Sequence, residues 1–94
     1  MALARVVTFE GVDDARIAQL KQNVESGERP ENLPATEMII LHDPENQKSI
    51  AIMFFDSDAD YQKGHEVMDA MPTDDTPGKR TSVTKYNVAV RATA

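Results

Sequence analysis

Residues 35–56, ATEMIILHDPENQKSIAIMFFD, hold two apolar runs joined by the turn-forming DPENQ. A strand wetted on one side alternates apolar with polar side chains. Met38, Ile39, Ile40 and Leu41 do not alternate, and neither do Ile50, Ala51, Ile52, Met53, Phe54 and Phe55. Both faces of the hairpin made by these runs therefore need covering, and the helix available elsewhere in the chain decides what covers them.

Working outward toward the N-terminus, residues 4–10, ARVVTFE, are β-branched and aromatic and read as a strand stopped by Gly11. Asp13 and Asp14 open a helix, suitably placed at its positive end, and Ile17, Leu20 and Val24 recur along one stripe until Ser26-Gly27 ends it. Residues 28–34, ERPENLP, carry two prolines and form a loop that returns the chain to the sheet. The strands of the hairpin fall at roughly 36–42 and 49–55. Beyond them Ser57 offers its hydroxyl as a helix cap, with Asp60 reaching back. Along that second helix Tyr61, His65 or Gly64, Met68 and Met71 lie on one side, and Pro72 closes it. The polar PTDDTPGKR leads to a last strand at 81–91, where Ser82, Thr84, Tyr86, Val88 and Val90 share a face.

The order βαββαβ is the split βαβ, or ferredoxin-like, α+β fold: a four-stranded antiparallel sheet with both helices on one face, here one domain over residues 1–94. Two helices cover one face of the sheet. The other would carry Ile and Phe to water, so a second copy of the chain is the expected cover, giving a homodimer with two sheets face to face.

Composition bounds the rest. With 94 residues the core is modest, and burial against a partner adds useful stability. No apolar run approaches a bilayer span, so no membrane association is expected. MALARVVTFEG lacks the features of a signal peptide, and a cytoplasmic location is the default expectation. The absence of cysteine excludes a disulfide framework, a thiolate nucleophile and a Cys-type zinc site. The net charge of −6 is localised: residues 56–75 hold seven acids against Lys63, while the remaining chain holds nine acids and nine bases. An acidic side without a Lys/Arg stripe argues against nucleic acid as a partner.

The length, the element order and the doubly apolar hairpin resemble the dimeric α/β-barrel superfamily, and residues 50–64, IAIMFFDSDADYQKG, look like the third strand and second-helix entry of antibiotic biosynthesis monooxygenase-like proteins. The resemblance covers nearly the whole chain. It implies ferredoxin-like subunits that close two sheets into a barrel, in a superfamily whose members include cofactor-independent and heme-degrading monooxygenases. The heme-degrading members typically use an Asn on the first strand with a Trp and a His on the second helix. This chain has no Trp and no Asn in ARVVTFE, so heme degradation is disfavoured and no cofactor is expected. The resemblance implies a small monooxygenase-like protein that binds or oxidises an apolar or aromatic metabolite. The alternative is a non-catalytic homodimeric ligand-binding or dimerisation module.

Two residues are the catalytic candidates, His65 and Tyr86. An imidazole against the sheet beside Tyr61 could accept a proton from a phenolic substrate, whereas the plainer account is a half-solvated helix histidine. Phe55, Tyr61 and Met68 are the ligand-binding candidates, lining with His65 and Tyr86 a cavity between helices and sheet; they serve equally as core. His42, at a strand end before Asp43-Pro44, is expected to face solvent. Asp56, Asp58 and Asp60 have the alternate spacing of a calcium loop but lack its Gly and its bidentate Glu. Capping explains them, and no metal is expected. Ser, His and Asp residues are present, but without geometry they make no triad.

Overall fold

The computed structural model describes residues 2–27, 33–70 and 78–92. Six elements follow in order: β1 (Leu3–Glu10), α1 (Asp14–Glu25), β2 (Glu37–Asp43), β3 (Lys48–Phe55), α2 (Asp58–Asp69) and β4 (Lys79–Asn87). The strands pair antiparallel in the sheet order β2-β3-β1-β4, and the fold is ferredoxin-like α+β. Residues 28–32 of the expected loop, and Met71 and Pro72 at the expected close of the second helix, lie outside the described residues.

The helices start where the sequence places their caps. Asp13 accepts the Arg16 N–H at 2.8 Å, and Ser57 Oγ accepts the Asp60 N–H at 3.1 Å. Gly27, at φ +85°, follows the end of α1 in the left-handed conformation that glycine adopts without strain. In the β2–β3 turn Asp43 Oδ1 accepts the N–H groups of Glu45 and Asn46 at 3.2 and 3.4 Å. The carbonyl of Gln47 takes the Val12 N–H at 2.8 Å, which ties this turn to the start of the β1–α1 connection.

β4 departs most from expectation, running from Lys79 to Asn87 rather than over 81–91. β1 is its template, with Glu10 opposite Lys79 at one end and Leu3 opposite Asn87 at the other. The pairing is interrupted once. Thr8 pairs with Ser82 but Phe9 with Arg80, so Thr81 is an extra residue in a β-bulge. Its hydroxyl lies 2.6 Å from Thr8 Oγ1 and donates to the Thr8 carbonyl at 3.2 Å.

Register assigns the faces. Leu3, Arg5, Val7 and Phe9 of β1 stand beside Phe55, Met53, Ala51 and Ser49 of β3 on the helix side. Ala4, Val6, Thr8 and Glu10 stand beside Phe54, Ile52, Ile50 and Lys48 on the open side. The core has two parts. Under α2, Leu3, Met53, Phe55 and Tyr61 pack together with Met68 against them; nearer α1, Val7, Phe9 and Val12 pack with Ile17. No residue of α1 is fully buried. Its stripe Ile17, Leu20 and Val24 instead faces Met38 and Ile40 of β2 across a groove of about 360 Å³.

The open side carries Ile39 and Leu41 of β2 beside Ile52 and Ile50 of β3. Leu41 is 51%, Ile50 37% and Ile39 36% exposed. The hairpin is thus apolar on both faces as its sequence requires, and one of those faces is bare in the single chain.

Candidate functional site

The chemistry-bearing side chains on the helix side gather around an arginine that the strand pattern would not select for a core. Arg5 sits between Leu3 and Val7 on the same face of β1 and is only 3% exposed. A buried guanidinium requires partners, and α2 supplies them. Arg5 Nε donates to His65 Nδ1 at 3.2 Å, and Arg5 Nη2 lies 3.4 Å from Asp69 Oδ1. One turn apart on α2, His65 Nε2 and Asp69 Oδ2 are 3.1 Å apart, and Arg80 Nη1 from β4 donates to Asp69 Oδ1 at 2.8 Å. Asp69 therefore gathers two guanidinium groups and an imidazole.

This arrangement fixes the histidine. Arginine has no acceptor, so Nδ1 offers its lone pair to Arg5 and Nε2 carries the proton that points to Asp69. Neither nitrogen is idle, and His65 cannot take a proton at Nδ1 without giving up the Arg5 contact. Electrostatics follow from the same contacts. Burial pulls the Arg5 guanidinium below its ordinary value, opposed chiefly by Asp69. The Asp69 carboxyl is held below the usual carboxylate range, first by the Arg80 hydrogen bond, against the opposing effect of burial, and further by the charges of Arg80 and Arg5.

The aromatic candidates adjoin this network. Tyr61 stacks on His65 at 6.1 Å with the rings 9° from parallel, and meets Phe55 edge-on at 5.5 Å. Lys85 of β4 holds its Nζ 4.9 Å from the centre of the Tyr61 ring and 2.8 Å from Asp58 Oδ1. Phe55, Tyr61, His65 and Met68 are thus brought together, Phe55 and Tyr61 as packed core. Tyr86 is not with them. It pairs with Ala4, on the open side of the sheet, and is 55% exposed, so the two catalytic candidates stand on opposite faces.

Arg5, Asp69, Arg80 and Lys85 escaped the sequence reading as a group. Arg5 had a usable signal, since it occupies the apolar phase of Leu3, Val7 and Phe9; Asp69 had another, four residues after His65. Two cations of β4 also change the view of the acidic stretch, because Asp58 and Asp69 are both ion-paired.

His42 differs from expectation too. Its side chain is 14% exposed and lies on the helix side, where its ring bridges Ser49 Oγ at 2.8 Å and Asp14 Oδ1 at 3.1 Å. In the neutral form the carboxylate accepts from Nε2–H and Nδ1 accepts from the serine hydroxyl. The residue types are those of a hydrolytic triad, but Ser49 is 2% exposed, too enclosed to meet a substrate. The bridge fastens the first turn of α1 to the sheet and forms one end of the α1–β2 groove.

Among the described residues no cluster of three or more His, Cys, Asp or Glu could hold a metal ion, and no helix is long and apolar enough to cross a membrane. The class the chain defines is a ferredoxin-like α+β protein with one sheet face exposed. Comparison with protein families, curated proteins and solved structures finds no match.

Proposed function

We propose that this chain is a homodimeric ligand-binding module of the ferredoxin-like class, two copies packing their open sheet faces together. The observation that carries the reading is the exposed aliphatic surface formed by Ile39, Leu41 and Ile50, continued by the partly covered Ile52 and Phe54. Monomers rarely leave a contiguous apolar surface of this kind to water, and a sheet with one such face is completed by another. Native mass spectrometry is expected to give a dimer, converted to monomer by Ile52→Lys. A wild-type chain that is monomeric at micromolar concentration contradicts the proposal.

The ligand-binding part of the reading rests on the α1–β2 groove. Its volume of about 360 Å³ and its lining of Ile17, Leu20, Val24, Met38 and Ile40, together with Lys21, Glu25 and His42, suit a small apolar or aromatic molecule that carries a polar group. Phe55 and Tyr61 meet edge-on at 5.5 Å as part of the packed core.

A monooxygenase-like activity is the rival proposal, motivated by the resemblance of residues 50–64 and by the α2 histidine, His65, held against the sheet by Arg5. It requires oxygen-dependent turnover that disappears in His65→Ala. Turnover that survives this substitution removes His65 from the mechanism, and saturable binding without product favours the module.

A further inference from the structure

At the end of the sheet nearest the β2–β3 turn, the open face finishes in a row of four charged residues, one from each strand. In sheet order they are Asp43, Lys48, Glu10 and Lys79, and register sets each directly beside the next. All four are exposed, and Lys48 Nζ lies 4.0 Å from Glu10 Oε1. The signs alternate across the sheet, negative, positive, negative, positive. Read from the opposite edge, every sign is reversed.

This pattern is self-complementary for one symmetry operation. Face-to-face packing of two copies places a two-fold axis between the sheets. If that axis runs parallel to the strands, the second copy lays its β4 over β2 and its β1 over β3, with both β2–β3 turns at the same end. Asp43 then faces the partner subunit's Lys79, and Lys48 faces the partner subunit's Glu10, each contact made twice. Two open-face rows further in, Ile52 meets the partner subunit's Val6, and the contact excludes water. If the axis instead runs across the strands, the row lies over the far end of the sheet, and Asp43 comes over the partner's Glu37, a carboxylate already paired with an arginine of its own chain, so the row finds no matching charges there.

Building on the dimer proposed above, we infer that the partner of the open face is a second copy turned about an axis parallel to the strands, and that the alternating row fixes this orientation. Aligned sheet packings keep strand directions within about 30°, so the two rows remain opposed along their length.

The test uses the two central members, leaving Asp43 to hold its turn. Glu10→Lys sets two lysines against each other across the axis, and Lys48→Glu sets two glutamates. Each variant alone is expected to dimerise more weakly than wild type by on the order of tenfold. An equimolar mixture restores attraction at both central contacts and is expected to give a 1:1 heterodimer of wild-type affinity. A chain carrying both substitutions reverses the pair and is expected to dimerise as wild type does, which shows that the substituted surface still folds. Single variants that dimerise like wild type, or a mixture in which no heterodimer is enriched, overturn the orientation while the dimer itself stands. A monomeric wild type in the same spectra overturns the dimer and the orientation together.

Discussion

Phe55→Ala is expected to remove about 3–5 kcal/mol of folding stability, the largest effect of any single truncation in this chain. Phe55 is wholly buried, and its ring is the surface on which α2 rests. Tyr61 meets it edge-on, and Gly64 brings the helix backbone so close that a Cβ at that position would collide with the ring. An alanine at 55 would leave a hole bounded by main chain on one side and by Leu3 and Met53 on the other, none of which can fill it without moving the helix. Folded domains hold only about 5–15 kcal/mol in total, so the variant should show a greatly lowered urea midpoint with an unchanged slope. A cost below about 1 kcal/mol would mean that α2 does not depend on this ring. The close approach at Gly64 also explains why the helix tolerates a residue of poor helix propensity in its middle.

Asp69→Ala is the second large effect, at about 2 kcal/mol. Stripping a partner from a fully buried ion pair costs about 3–5 kcal/mol, and the lower figure reflects the partial exposure of Asp69, which lets water reach Arg5 once the carboxylate is gone. Its loss leaves the Arg5 guanidinium, 3% exposed, without a counter-charge. Adding Arg5→Met to the Asp69→Ala chain should recover more than half of the loss, because the uncompensated charge is then absent as well. No recovery would place the cost in the Arg80 and His65 contacts instead. The same carboxylate shapes the acid limb of stability. Its pKa is lowered in the native state, so its contribution is complete above the ordinary value of about 3.9 and is lost as pH falls through the lower native value. In Asp69→Ala that part of the pH dependence should be missing.

The elements that were legible in the sequence are those whose side chains act locally. The caps at Asp13 and Ser57, the stop at Gly27 and the two-faced hairpin each depend on neighbours within a few residues, and the structure places them where the pattern does. The Arg5 network was not legible, because its members come from β1, α2 and β4 and meet only once the register of two strand pairs is set. Tyr86 shows the same limit. Alternation groups it with Ser82 and Thr84 on one face, as the pairing shows, but which face they share depends on pairing with Ala4, Val6 and Thr8. His42 looked like a turn residue by position, and only the packing of α1 over β2 supplies its bond to Asp14.

The bulge at Thr81 sorts two adjacent cations. In an uninterrupted ladder Glu10 would stand beside Arg80, and Thr81 would take the place on the helix side that Arg80 now fills. One supernumerary residue sends Arg80 inward to Asp69 and leaves Lys79 outside next to Glu10. A dibasic dipeptide is thereby divided between two tasks, one pairing with the helix-side carboxylate of Asp69 and one presented on the open face. Deleting Thr81 would keep Arg80 opposite Phe9 and Lys79 opposite Glu10, whereas straightening the ladder with Thr81 retained would bring Arg80 out to the rim and take the cation away from Asp69.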